Sequence, residues 1–485
     1  MIYYNAMVNK IKRTLAVLLL VCIFIHLYPG YGYSDDAEEV IVIVRKAYQD
    51  RLYAFCISRL KSFLKRYPSG EWREEAHLLL GKCFYQQDRL YQALEEFDFI
   101  LKTWPSGKFS DQALYWSAEA YVKRSDFIAA VNLYQKLIDL YSRSAYSSYA
   151  YYSIGVCYYQ QDLYEEAVGQ FRKFLKDFPE HELFAEAKYR IGECLHHLKR
   201  FKESEGVLSS YLFSFSAHEY TAAGYYWLGE AGYYLGKFKE AIFNYQQTIK
   251  VDQRSKWAAW AYYGIGWSYY ELEDFEKSLQ AFSYFREYFS KNPLIDSCIF
   301  KIGQCYAKIG EQDNAVKTYQ ELITNFPNSD WIDDAWFWKA KNLFISKRFK
   351  QAVEAHKKLL MEFPQSDFYN QACYGLAWCY LEMQDYEKAI AEFEQLIKLE
   401  PGNSLKINSL LKIGDCWLDL GRFQKAIDAF DVVLKEYPGS SVVDYAQYQL
   451  GQAFYKKGEF DLAVSAFRSL IVNFSSSNLL DEAQY

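Results

Sequence analysis

A spacing of 37 residues runs through the chain and leaves few folds open to it. Steps of 37 from Gly81 reach Ala118, Gly155, Gly192, Gly229, Gly266, Gly303, Ala340, Ala377, Gly414 and Gly451, every one a glycine or alanine. Twelve residues after each stands another small residue, from Ala93 and Ala130 through Ser204 and Ser278 to Ala463. Four further on comes a bulky one: Phe97, Tyr134, Phe171, Leu208, Tyr245, Phe282, Tyr319, His356, Phe393, Phe430 or Phe467. Seven of the nine prolines share one phase, at Pro68, Pro105, Pro179, Pro327, Pro364, Pro401 and Pro438. An unbroken period of this length marks an array of like units, each too small to hide its own apolar face, rather than several independent globular domains.

The columns read as two antiparallel helices per unit. A small residue on each helix lets the backbones approach, and the bulky side chain fills the space beside that contact. Proline cannot continue a helix and disfavours helical geometry before it, so it closes the second helix. Two residues later a Gly, Ser or Asn recurs (Gly107, Ser144, Ser255, Asn292, Ser329, Ser366, Asn403, Ser440, Ser477), which supplies N-cap chemistry for the next helix. Two past that cap a hydrophobic follows, as at Phe109, Trp331, Phe368 and Leu479, placed to pin the added helical turn. The stretch 203–224 lacks the proline and carries Gly206 inside its second helix, so the pattern predicts irregularity there.

Gly-x-x-Tyr, the alanine twelve residues on, the aromatic after it and the closing proline resemble tetratricopeptide repeats, whose usual unit is 34 residues. The three extra residues and the closing "FPxS" phrase resemble most the extended repeats of bacterial envelope proteins of the Tol-Pal-associated and outer-membrane-assembly types. The resemblance covers residues 37–485 and implies an all-α fold, a right-handed α-solenoid of about twelve helix hairpins whose last unit is incomplete. The final "LLDEAQY" enters a new first helix and offers no polar cap, so a truncated chain or a partner covering Leu479 and Leu480 is expected.

Residues 1–32 read as a signal peptide: Lys10, Lys12 and Arg13, an apolar run from Leu15 to Tyr28, and small Gly30 and Gly32 for cleavage. The alternative is an uncleaved inner-membrane anchor; Val21 before Cys22 argues against a lipidation site. Export to the periplasm follows. Losing the three basic residues takes the net charge of −6 to about −9, which argues against nucleic acid as a partner and leaves the membrane reachable only through an uncleaved leader.

The ten cysteines do not read as a disulfide framework. Cys83, Cys157, Cys194, Cys305, Cys379 and Cys416 share one column that elsewhere holds Ala or Ser, and equivalent positions on neighbouring units lie about 8–10 Å apart, beyond bridging distance. Glu193, Cys194, His196 and His197 cluster in sequence, but consecutive histidines point about 100° apart on a helix and no second ligand group accompanies them, so no metal or other cofactor is expected. His181 and His218 read as solvated loop residues. No phosphate-binding loop or nucleophile elbow is present, and no catalytic residue is assigned.

The first helices instead carry an aromatic column three residues before the small one. With neighbours, it yields a candidate groove of Tyr115, Tyr152, Tyr189, Tyr226, Tyr263, Trp267, Phe300, Phe337, Tyr374 and Trp378, on the face that the family resemblance makes inner and concave. These aromatics serve packing between units as well as binding. Terminal-carboxylate capture, which chaperone-docking repeats of this family perform with Lys and Asn on that face, is not expected, because the clamp columns hold aromatics and the position after the glycine holds no asparagine. The resulting expectation is a non-catalytic scaffold for protein partners in the bacterial cell envelope, in biogenesis or division. The alternatives are a glycan-binding groove, for peptidoglycan or an exported polysaccharide, and an enzyme with an unrecognised site.

Overall fold

The computed structural model describes residues 36–484; the leader and its cleavage or anchoring lie outside them. The described residues form twenty-five α-helices, numbered in order from α1 (Ala37–Gln49) to α25 (Leu480–Gln484), and no strand. They make twelve successive hairpins followed by the short α25, an α-solenoid arrangement in which, within each compact unit, each helix packs against its chain neighbours. Two compact units divide the chain, the first ending at Tyr220 and the second beginning at Thr221.

The contact that repeats in each unit is tighter than the spacing alone suggests. In α13 (Lys256–Glu271) and α14 (Phe275–Tyr288), a Cβ on Gly266 would stand 2.6 Å from the ring of Phe282, so the ring lies directly on the glycine rather than beside it. The same holds for Gly155 with Phe171 and Gly303 with Tyr319, at 2.6 Å each. The small residue twelve positions on sits against the glycine's carbonyl: Ser278 Oγ donates to Gly266 O and Ser204 Oγ to Gly192 O, both at 2.7 Å. Fully burying such a ring contributes on the order of 2–3 kcal/mol.

The cap column works in two ways. Ser144 and Ser255 are true N-caps, with Oγ accepting from Tyr146 N and Ala258 N. Ser329 and Ser366 cap the turn that leads into their helices, accepting from the backbone two residues on, and donate to Asp296 and Asp333 of the preceding repeat at 2.6 and 2.7 Å. His181 and His218 stand in this same column and are not merely solvated. Their Nδ1 atoms accept from Leu183 N at 3.1 Å and Tyr220 N at 3.4 Å, so imidazole replaces the serine hydroxyl. The hydrophobic after the cap reaches back to the previous repeat: Trp331 stacks on Phe300 with centroids 4.8 Å apart, and Phe368 on Phe337 at 4.4 Å.

Two further features were not legible in the spacing. Each turn inside a hairpin carries a left-handed residue, at Gly236 and Gly310 but also at Lys199 (φ 58°), Glu273 (φ 58°) and Lys347 (φ 57°). The turn closes with a hydrogen bond such as Arg348 N to Leu343 O at 2.8 Å, and this closure fixes the backbone whatever the side chain. Within the stretch 203–224, α10 (Phe201–Ser214) is itself a regular helix, because Gly206 lies where nothing approaches within 4 Å and its missing side chain removes no contact, but the boundary between the two compact units falls in the same stretch, after Tyr220.

All nine described cysteines are buried and reduced. Cys56 Sγ donates to Val44 O at 3.7 Å, and Cys305 Sγ donates to Ser278 Oγ at 3.3 Å. Among the described residues no helix is long and apolar enough to cross a membrane.

Candidate functional site

The first helices α11 (Thr221–Tyr234) and α13 lie side by side. The aromatic column of the first helices faces obliquely: one edge of each ring meets the second helix of its own hairpin, and the other edge meets the next repeat. Tyr263 packs on Phe282 at 5.6 Å between centroids, Tyr374 on Phe393 at 5.7 Å and Tyr115 on Tyr134 at 5.9 Å. Where the next repeat adds a large hydrophobic, the ring is sealed. Tyr189 under Tyr220 and Phe300 under Trp331 are each 1% exposed. Tyr152 and Tyr226 are also buried. Tyr115, Tyr263, Trp267, Phe337, Tyr374 and Trp378 remain half-buried. The ten residues are therefore not one continuous open strip.

Openings persist at two places, both on the second unit. A cavity of about 510 Å³ is bordered by Phe337, Lys341, Phe344, Tyr374, Trp378 and Glu382. Another, of about 340 Å³, lies between α11 and α13 and is lined by Tyr226, Glu230, Tyr233, Tyr234, Trp260, Tyr263, Gly264 and Trp267, among others. Its rim is formed by Tyr234, 57% exposed, and Trp260, 43% exposed. At its base the Glu230 carboxylate accepts from the Tyr245 hydroxyl at 2.6 Å. Burial raises the Glu230 pKa, and the hydroxyls of Tyr245 and Tyr226 pull it part of the way back. In return, burial and then the Glu230 charge push both phenols well above their ordinary value. A larger concavity of about 870 Å³ runs along α16 (Gln312–Asn325), α17 (Ile332–Ile345) and α18 (Phe349–Glu362) and is basic. Three of its five cations already have side-chain partners, Lys339 with Gln320, Arg348 with Asp313 and Lys358 with Glu362.

Profiles of the tetratricopeptide repeat match residues 115–182, 163–220, 222–255, 260–292, 297–329, 343–413, 408–440 and 445–477. The chain belongs to the tetratricopeptide-repeat family. A profile of the outer membrane lipoprotein family YfiO matches residues 33–123 of this tetratricopeptide-repeat chain. Among solved structures it is similar to the C-terminal part of a TPR repeat-containing protein from Cytophaga hutchinsonii, at 20% identity over 53% of this chain and 98% of that one, with a TM-score of 0.45. A tetratricopeptide repeat protein from Parabacteroides merdae matches at 12% identity over 54% of this chain and 97% of that one, TM-score 0.39. The MamA protein matches at 22% identity over 37% and 92%, TM-score 0.33. No curated protein matches significantly.

The sequence cluster Glu193, Cys194, His196 and His197 is dispersed by the tetratricopeptide-repeat packing. Glu193 pairs with Arg190 at 3.0 Å, Cys194 is buried, and the His197 ring stacks on Tyr164 with centroids 4.6 Å apart. Burial and then the neighbouring His197 push His196 down to about 4. Among the described residues no group of three His, Cys, Asp or Glu side chains could hold a metal.

Proposed function

We propose that this chain is a non-catalytic scaffold of the bacterial cell envelope that holds protein partners on the face formed by its first helices. The observation that carries this reading is the cavity between α11 and α13, where exposed Tyr234 and Trp260 stand over a half-open aromatic pocket that the chain's own packing leaves unfilled. Rigid aromatic side chains around a concave site are the residues that dominate protein–protein recognition. Membership of a repeat family built of stacked hairpins supports presentation rather than chemistry, and the match to the outer membrane lipoprotein profile supports an envelope setting. Delivery there by the N-terminal leader belongs to the same proposal.

The test uses Trp260→Ala together with Tyr234→Ala, both at exposed positions, in the full-length chain expressed in its own host. Phe243→Ala, on the second helix α12 (Phe238–Val251) and 58% exposed, serves as the control. Partners recovered by crosslinking the unaltered chain are expected to be lost from the double variant and retained by the control. Equal recovery from all three would remove the first-helix face as the binding surface.

A further inference from the structure

Three first helices carry a basic residue in one column, spaced three repeats apart: Arg190, Lys301 and Lys412. Each cation is held by aromatics and by the residue three positions on. The Arg190 guanidinium lies 5.4 Å from the Tyr159 centroid, 5.5 Å from Tyr189 and 5.4 Å from Tyr220, and pairs with Glu193 at 3.0 Å. Lys301 Nζ lies 4.0 Å from the Trp267 centroid and 5.2 Å from Tyr270, and donates to Gln304 at 2.7 Å. Lys412 Nζ lies 5.4 Å from Trp378 and 5.7 Å from Tyr445, and donates to Asp415 at 2.8 Å. Burial works against the charge on Arg190, but Glu193 and the surrounding tyrosines outweigh it and raise its pKa; Lys301, beside a neutral amide, is pushed down to about 8 by burial. An acidic partner is thus what makes such a slot comfortable for a cation.

In the repeat before Lys301 the column holds Gly264. Lys301 reaches back to Trp267 and Tyr270 on the preceding first helix, and the residues one period earlier are Glu230 and Tyr233. The slot at Gly264 is therefore lined by an aromatic and a carboxylate but supplied with no side chain, and it is this space that forms the 340 Å³ cavity. Gly264 itself is required, since a Cβ there would stand 2.6 Å from the Tyr245 ring, so the chain cannot fill the slot from within without displacing the donor to Glu230. The groups acting on Glu230 are the neutral hydroxyls of Tyr245 and Tyr226, which leaves its charge without a counter-ion. Trp267 lines the cavity, whereas Lys301, stacked on that ring, does not.

We propose that this cavity receives the guanidinium or ammonium of an arginine or lysine side chain from a partner polypeptide, taking the place that Arg190, Lys301 and Lys412 occupy in their own repeats. This deepens the scaffold reading and rests on it. The attraction has two sources, the quadrupoles of Trp260, Trp267 and Tyr233 and the partly desolvated Glu230 carboxylate, both stronger away from bulk water. A long aliphatic stem crossing the Tyr234–Trp260 rim suits both basic side chains.

The test uses the full chain labelled with 5-fluorotryptophan and two soluble probes, Nα-acetylarginine amide and its neutral isostere Nα-acetylcitrulline amide. The fluorine resonances of Trp260 and Trp267, assigned by single Trp→Phe changes, are expected to shift saturably with the arginine probe. At least tenfold weaker binding is expected of the citrulline probe, and a similar loss from Glu230→Gln. Equal responses to the two probes, or an unchanged response in a folded Glu230→Gln chain, would overturn the proposal. Should Glu230→Gln not fold, the two-probe comparison on the unaltered chain decides alone. Failure here with partner capture still dependent on Tyr234 and Trp260 would sink only the cation; selective arginine binding with capture unaffected by those residues would sink the scaffold reading instead.

Discussion

Gly266→Leu should open the α13–α14 hairpin, and a compensating Phe282→Ala should close it again. The Gly266 Cβ would fall 2.6, 2.7 and 2.7 Å from three ring carbons of Phe282, whereas carbon atoms rest about 3.5–4.0 Å apart, so the ring or its helix must retreat by roughly 1 Å. Phe282 and the adjacent Phe285 are 0% exposed, and the ring has no free volume to enter. Overpacking of this kind costs about 1–3 kcal/mol, offset by roughly 1 kcal/mol from the better helix propensity of leucine. Phe282→Ala alone leaves a cavity worth about 3–5 kcal/mol. In the double variant the leucine carbons enter the vacated ring site, so its cost should fall below that of Phe282→Ala and show a coupling of at least about 1 kcal/mol. Repeat arrays open locally, so the assay is hydrogen exchange of the full chain, read by mass spectrometry on peptides of α13 and α14, with first-unit peptides as reference. Single changes that add within about 0.5 kcal/mol would refute direct contact between glycine and ring. Alanine is too mild a probe, because the column already carries it at Ala118, Ala340 and Ala377.

His356, the polar member of the bulky column, is pushed by burial from 6.5 down to about 4, and its Nδ1 has no hydrogen-bond partner. The folded state disfavours the proton, so stability is complete above pH 6.5 and is lost as pH falls towards 4, by about 2 kcal/mol at pH 5. Hydrogen exchange of α18 at pH 8 and pH 5 should show this difference, and His356→Phe should abolish it. Lys347→Gly should stabilise the turn between α17 and α18 by up to about 1 kcal/mol by relieving a left-handed lysine at φ 57°, seen as slower exchange there. Ser329→Ala should cost about 1 kcal/mol by removing both the acceptor for Trp331 N and the donor to Asp296, read as faster exchange at the start of α17. All nine described cysteines should resist a soluble thiol reagent until the chain is unfolded, as counted by intact mass.

The hairpin array was legible because its determinants repeat in phase: glycine, small residue and ring recur at fixed offsets, and the side chains that meet in space are those the period aligns. The candidate binding face was less legible, because exposure there depends on residues 31 positions apart. Tyr189 and Tyr220, or Phe300 and Trp331, cover one another across a repeat boundary, and reading one column at a time leaves all its members looking alike. Glu230 is equally hard to read from a single column. Its position resembles a solvated surface acid until the column of Arg190, Lys301 and Lys412 is set beside Gly264, when the missing cation becomes visible. Histidine in the cap column is hard to recognise from sequence because imidazole is a rarer cap than serine, although His181 and His218 stand at the same phase.

The most direct measurement of partner binding by the first-helix face is site-specific photo-crosslinking in the native host. A photoreactive phenylalanine analogue would be placed at Trp260 in one strain and at Phe243 in another, in otherwise unaltered full-length chains. Adducts to one defined protein at position 260, absent at 243 and mapped to a peptide containing lysine or arginine, are expected. Adducts confined to 243, or the same adducts at both positions, would contradict it.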